Sequence, residues 1–260
     1  MRDKQAVIAV LAVVAVVLGF VVLVNALTAP KSADVAAGAD TTTSTPSSST
    51  SASTSASATP TATPSVLPGC APVPGPQATP KRMASAPNVD AARGKTFVAT
   101  VTTNCGPITI ELDGAKAPAT VSSFSLLAKE GYWAPSPCHR LTGDAEGIWV
   151  LQCGDPTGTG SGPGPGYHYG IEKAPADGKY PAGTVAMART SDPNSNADQF
   201  FITYKDTTLP VEGGGYSIFG KVTGGMEIIN RVAAAGVSPS DQMSPMAPIS
   251  ILSVSVEAKG

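Results

Sequence analysis

Hydrophobic and polar positions divide this chain into three stretches of different character. In residues 6–24 every side chain is apolar, and in residues 41–65 every residue is Ser, Thr, Ala or Pro. Only in the region 94–260 do apolar residues recur at the spacings of strands and helices. As a helix with about 1.5 Å rise per residue, the first run measures roughly 28 Å, the thickness of a bilayer's hydrocarbon core. A cleaved secretory signal has a shorter apolar region and a small-x-small site, which Val24-Asn25-Ala26 supplies poorly. The expectation is a cytoplasmic N-terminus over residues 1–5 and an uncleaved transmembrane signal-anchor over residues 6–27. Arg2 and Lys4 precede the run and the next basic residue is Lys31, so the positive-inside rule places the remainder outside the cytoplasm. The expected location is the cell membrane, single-pass, with an extracytoplasmic C-terminal domain.

Residues 28–93 read as a disordered stalk, because Ser, Thr, Ala and Pro offer too little apolar surface to offset chain entropy. A flexible chain of about 60 residues has an r.m.s. span near 45 Å. Such a stalk would lift a domain clear of the membrane.

From Thr96 the pattern changes. Residues 96–103 alternate apolar with polar, a turn follows at Asn104-Cys105-Gly106-Pro107, and Ile108-Thr109-Ile110-Glu111-Leu112 alternates again, which is a β-hairpin signal. Val121, Phe124, Leu127 and Ala128 then fall at helical spacing, with Pro118 suited to a first turn and Gly131 to a stop. A second helix is expected near residues 226–235, with Met226, Ile229 and Val232 on one face. Residues 249–256 read as a last strand. Short apolar runs separated by Gly, Pro, Asn and Asp fill the space between. The pattern is mostly β with two helices.

Composition narrows the chemistry. A formal net charge of -2 with no basic stripe gives no reason to expect nucleic acid. The four cysteines, Cys70, Cys105, Cys138 and Cys153, include no CxxC pair, so no metal is expected. An even number outside the cytoplasm suggests two disulfides, for which three pairings are possible. Gly158-Thr159-Gly160-Ser161-Gly162 lacks the Lys-Ser/Thr of a phosphate-binding loop and reads as a plain loop. His139 reads as a packed, hydrogen-bonded core residue and His168 as a loop residue. Nothing marks a serine-histidine-aspartate set, and no cofactor is expected.

Three segments carry the chemistry: Cys138-His139-Arg140-Leu141, Leu151-Gln152-Cys153-Gly154-Asp155 and Asp198-Gln199-Phe200-Phe201, followed by Phe219-Gly220-Lys221-Val222. One arginine, two glutamines and buried aromatics suit a site that grips an apolar ring and polarises an amide. In order and spacing these segments resemble the cyclophilins, peptidyl-prolyl cis-trans isomerases, and the resemblance runs from about Thr96 to about Glu257. It implies an eight-stranded antiparallel β-barrel capped by two α-helices over residues 94–260.

It also implies roles. The family's catalytic arginine follows a histidine, as Arg140 does, and its glutamine in Gln-Gly-Gly-Asp matches Gln152, with Cys153 in place of the first glycine. Phe201 matches the aromatic floor of the proline pocket, while Phe200 faces the core. Gln199 and Ala188 match residues that contact the peptide, and Leu209 and Tyr216 match a pocket leucine and a rim histidine. Arg189 stands where asparagine is usual, which would favour an acidic or small residue before proline. The ten residues 141–150 are about four longer than usual and lack Pro-Gly-Phe, so Trp149 and Val150 are expected to supply the apolar wall, with Ile148 as the alternative. Thr208 replaces a tryptophan that supports cyclosporin binding, so weak or no cyclosporin affinity is expected. Cys138–Cys153 and Cys70–Cys105 are the pairings the resemblance favours.

An Xaa-Pro bond isomerises over a barrier near 20 kcal/mol, and it must lose double-bond character to rotate. A catalyst needs no covalent step; it must bind the twisted amide better than either planar form. A dry pocket for the ring and a donor near the proline nitrogen suffice. The expected function is isomerisation that assists folding of exported proteins, with proline-containing unfolded polypeptides as partners of a monomer at a bacterial cell envelope. The alternative is a non-catalytic module that captures proline-containing segments.

Overall fold

A computed structural model of the chain describes residues 66–260. The expected membrane run and the Ser/Thr-rich part of the stalk lie outside the described residues. Among the described residues no helix is long and apolar enough to cross a membrane.

Residues 66–93 carry no regular element beyond a single 3-10 turn at Val89–Ala91, yet they are fastened to the rest of the domain. Cys70 is bonded to Cys105. The Ala71 N–H donates to the Asn104 carbonyl at 2.7 Å, and the Met83 N–H to the Pro165 carbonyl at 2.7 Å. The Gln77 side-chain amide donates to the carbonyls of Tyr132 and Pro135 at 2.8 and 2.9 Å. Proline removes backbone donors, so this segment is held by a disulfide and by partners elsewhere in the chain.

The alternating hairpin forms β1 (Thr96–Thr103) and β2 (Gly106–Asp113), followed by α1 (Pro118–Lys129). No side chain of its own caps α1; Glu172 does so from a distant loop, accepting from the N–H groups of Ala119 and Thr120 at 2.9 and 2.8 Å. A carboxylate there also suits the positive end of the helix dipole. Val121, Phe124 and Leu127 turn into the core, where Phe124 meets Trp133, Phe219 and Phe200 at ring-centroid distances of 4.7, 5.5 and 5.7 Å.

The remaining strands are β3 (Ser136–Pro137), β4 (Arg140–Leu141), β5 (Val150–Cys153), β6 (Lys179–Tyr180), β7 (Thr184–Met187), β8 (Phe200–Thr203), β9 (Thr207–Thr208), β10 (Ile218–Gly224) and β11 (Ser250–Ala258). The helix α2 (Met226–Ala235) lies between the last two and buries Ile228, Ile229 and Val232. One antiparallel sheet runs β3-β11-β1-β2-β10-β7-β8-β5-β4, and β6 pairs with β9 apart from it. The sheet thus has nine strands where eight are expected. Its two ends, β3 and β4, are separated in sequence only by Cys138 and His139. At this crossing the Cys138 N–H donates to Ile249 while the His139 N–H donates to Gln152. One short segment therefore changes partner midway, from β11 to β5, and divides into two strands of two residues. The result is a curled antiparallel sheet with two helices.

Candidate active site

Register places the chemistry. Arg140 on β4 lies opposite Gln152 on β5, Gln152 opposite Phe201 on β8, and Phe201 opposite Ala186 on β7. Directly opposed residues point to the same side of a sheet, so these four form a row across four strands. The adjacent row, Leu141, Leu151, Ile202 and Val185, points the other way into the main core. Phe200 is in that core too, one residue from Phe201 and on the opposite face.

Around Phe201 the outward face gathers a second apolar cluster of Val150, Tyr180, Ala186, Phe201 and Leu209, edged by Ile148, Ala188, Tyr216 and Ile218. Tyr216 stands nearly perpendicular to Phe201, with centroids 5.6 Å apart, and Tyr180 lies 6.2 Å from Phe201. Offset and edge-on rings at these separations attract beyond simple area burial. The Tyr180 hydroxyl also accepts from the Tyr216 N–H at 2.8 Å and donates to the Tyr216 carbonyl at 3.0 Å, closing the rim against the pocket floor. Sequence reasoning missed Tyr180, because a lone tyrosine in a two-residue strand carries no periodic signal.

The polar side of the site is a chain of amides. The Arg140 guanidinium reaches the Gln152 side-chain carbonyl at 3.5 Å, the outer limit of a hydrogen bond. Gln152 in turn donates to the Gln199 side-chain carbonyl at 3.0 Å, and Gln199 donates to the Gly160 carbonyl at 3.1 Å. Each amide is oriented by the next. The Gln199 backbone carbonyl accepts from Ala188 at 2.9 Å, which brings Ala188 beside the row. A hollow of about 150 Å³ adjoins it, bordered by Gln152, Gly160, Ala188, Arg189 and Gln199.

The structure corrects one expectation about the wall. Trp149 does not face the apolar cluster. Its indole N–H donates to Asp144 at 2.7 Å, and the Lys205 ammonium sits 5.3 Å from its ring centre, beside a separate cleft bordered by α2. The reason is the strand period: Ile148, Val150 and Gln152 share one face, and Trp149 goes with Leu151 to the other. Ile148 and Val150 are the residues of this stretch that face the apolar cluster. Arg189 also differs from expectation. Three of its N–H groups donate to backbone carbonyls, those of Gly215, Thr190 and Glu212, at 2.7, 2.8 and 3.0 Å, so its fork holds a loop of this chain.

Buried ionisable groups lie behind the row. Burial pushes the Asp155 carboxyl upward, but hydrogen bonds from Thr157, Gly162 and Thr159 outweigh it and hold the group below the usual carboxylate range. Those bonds order the loop that carries Gly160. Asp198 has fewer donors. Burial raises its pKa to about 6, with Asp155 adding to the rise and the Tyr132 hydroxyl, 2.6 Å away, opposing it. Sequence reasoning assigned neither carboxylate a role; only their position beside Gln199 and Gln152 hints at one. His139 is buried as expected, but the expected side-chain hydrogen bond is not made: neither ring nitrogen has a partner within the protein. Burial lowers its pKa, as does Arg140, while Asp155 pulls it upward. A neutral, enclosed imidazole is packing, not a general base.

Cys138 and Cys153 are bonded to each other, so neither is a nucleophile beside Arg140. What remains is a planar guanidinium, two oriented amides and an apolar cluster on one face. Such an arrangement can hold an apolar ring and donate to an amide nitrogen without forming a covalent bond.

Comparison with known proteins agrees with this geometry. The family model described as cyclophilin type peptidyl-prolyl cis-trans isomerase/CLD matches residues 98–256. A probable peptidyl-prolyl cis-trans isomerase B of Mycobacterium leprae is 36% identical over 174 residues, which are 62% of this chain and 57% of that protein. Its Mycobacterium tuberculosis counterpart is 35% identical over 164 residues, 58% of this chain and 52% of that protein. The chain thus spans about half the length of these curated relatives. Among solved structures, a cyclophilin type peptidyl-prolyl cis-trans isomerase of Cryptosporidium parvum superposes with a TM-score of 0.54 at 30% identity, covering 64% of this chain and 99% of that one. The same protein in the presence of the dipeptide Ala-Pro gives 0.53 at 31%, covering 62% and 99%. With a family match across the whole sheet and a site assembled on its outward face, the chain belongs to the cyclophilin family.

Proposed function

We propose that this chain is a peptidyl-prolyl cis-trans isomerase that acts on proline-containing segments of exported proteins. One observation carries the reading: Arg140 and the Phe201 cluster share one face of four adjoining strands, with Gln152 between them. The proline ring would rest on Phe201 between Val150, Leu209 and Tyr216. Arg140 would donate to the proline nitrogen as its lone pair is freed from resonance. Gln152 would hold the guanidinium, and Gln199 and Ala188 would bind the peptide backbone. Each 1.4 kcal/mol of selective stabilisation of the twisted amide gives a tenfold rate. The dipeptide named with the Cryptosporidium parvum structure is of the chemical class this site suits. Isomerisation of a short Xaa-Pro peptide by the full-length chain, beside Arg140→Ala, is the test; no rate above background in the unaltered chain overturns the reading.

The apolar run of residues 6–24 supports an uncleaved membrane anchor with the folded part outside the cytoplasm. Resistance to alkaline extraction, together with cleavage of the domain by external protease in intact cells, is the expected result. Thr208, exposed on β9, offers no indole, so cyclosporin should bind weakly; a nanomolar Kd contradicts this. A monomer is expected, and sedimentation of the detergent-solubilised chain at twice its mass would contradict that.

A further inference from the structure

The rim of the candidate pocket is made by a loop with little structure of its own. Gly213, Gly214 and Gly215 follow one another at φ of 72°, 98° and 71°, a positive-φ run that glycine adopts freely and that is supported locally by a single 3-10 turn over Glu212–Gly214, in which the Gly214 N–H donates to the Val211 carbonyl at 3.0 Å. Tyr216 comes next and must present its ring to Phe201. A run of three glycines carries large conformational entropy, so a fixed Tyr216 needs outside ties.

The ties come from two side chains. Tyr180 brackets Tyr216 through its N–H and carbonyl. Arg189 holds the stretch before it: Nε donates to the Gly215 carbonyl and one Nη to that of Glu212, while the other Nη donates to Thr190 on its own strand extension. The guanidinium carbon also lies 5.0 Å from the centre of the Tyr216 ring, within cation–π range. The contact is close. A Cβ on Gly213 would lie 3.3 Å from one Arg189 Nη and 3.4 Å from the other. No carboxylate pairs with Arg189 among the described residues.

We infer that Arg189 is a positioning residue: its planar fork, and not its charge, fastens the Gly213–Gly215 loop and so sets Tyr216 against Phe201 as the outer wall of the ring-binding pocket. The inference rests on the reading of this pocket as the proline site. Arg189 works through Tyr216, so its loss weakens retention of the peptide and leaves the chemistry at Arg140 intact. Lysine keeps the charge but presents a single ammonium, which cannot span carbonyls on both sides of the loop. The charge and the fork can therefore be separated.

The test uses the full-length chain, Arg189→Lys and Gly213→Ala, with thermal unfolding to establish that each variant is folded. Binding of the dipeptide Ala-Pro is titrated by NMR, and kcat and KM are measured on a tetrapeptide with a central Ala-Pro bond. Both variants should weaken dipeptide binding and raise KM by about 5- to 10-fold, with kcat within twofold of the unaltered chain. Equal dipeptide affinity in Arg189→Lys and the unaltered chain overturns the inference, as does a loss confined to kcat. An unaltered chain that binds the dipeptide but turns over no peptide defeats the enzyme reading alone; one that binds no dipeptide defeats both.

Discussion

The same four strands present two rows that differ by one residue and do different work. Leu141, Leu151, Ile202 and Val185 face inward, each no more than 3% exposed, and are bound on every side by other core residues. Arg140, Gln152, Phe201 and Ala186 face the other way: Phe201 and Ala186 are buried in the smaller apolar cluster, while Arg140 and Gln152 are half-buried and depend on a 3.5 Å bond to one amide, a disulfide and two loops. The inner row is over-determined by packing. The outer row is determined by register, which the inner row enforces, because a one-residue slip would exchange the two faces. Stability and chemistry are thus written in alternate letters of the same strands.

Breaking the inner row should cost most. Leu151→Ala removes a buried side chain and should destabilise by about 3 kcal/mol, read by chemical denaturation, while the surviving folded fraction keeps its activity per molecule. Arg140→Ala should do the reverse. It should lower kcat about 100-fold, near 2.7 kcal/mol of transition-state stabilisation, and shift the unfolding midpoint little; an equal fall in stability would erase the distinction between the rows.

A subtler test lies behind the outer row. The Asp198 carboxyl titrates near 6 in the folded chain against 3.8 as its ordinary value. The native state therefore binds more protons between about pH 4 and 6, and stability contributed by this group is present below pH 4 and lost as pH rises through 6. Asp198→Asn keeps an acceptor for Tyr132 and removes the titration. The stability of the unaltered chain relative to this variant should fall by on the order of 2 kcal/mol across that window. A difference that does not change with pH would show Asp198 to be ionised throughout. Asp155, held low, acts in the opposite sense and at lower pH.

The smallest effects should separate neighbours in the wall. Ile148→Ala should raise KM several-fold, because it removes packing from the outward cluster. Trp149→Ala should leave KM within about twofold, since its ring lies against Lys205 and Asp144. A larger effect for Trp149 would return it to the pocket.

Much of this site was legible in advance because it obeys local rules. Alternation at Phe200-Phe201 separates core from pocket without any structure. The first helix announces itself through Val121, Phe124 and Leu127. Resemblance located Arg140, Gln152 and Gln199. Trp149 departs from expectation because residues 141–150 match no familiar spacing, and the parity of a strand is known only once its end is placed. Tyr180, Asp198 and the fork of Arg189 were illegible for another reason. Their partners lie at Tyr216, Tyr132 and Gly215, and nothing local marks such pairings.

The sequence by itself determined the periodicities, the membrane-length apolar run, the Ser/Thr-rich composition and the order of the motif segments, all of which depend on neighbours along the chain. Only the tertiary structure decided that residues 66–93 lie fastened against the domain, that β3 and β4 divide one segment between two ends of a sheet, and that a glycine-rich rim is held by Arg189 and Tyr180. These depend on contacts between residues far apart in sequence, where the packing of the curled sheet, more than local preference, selects the partner.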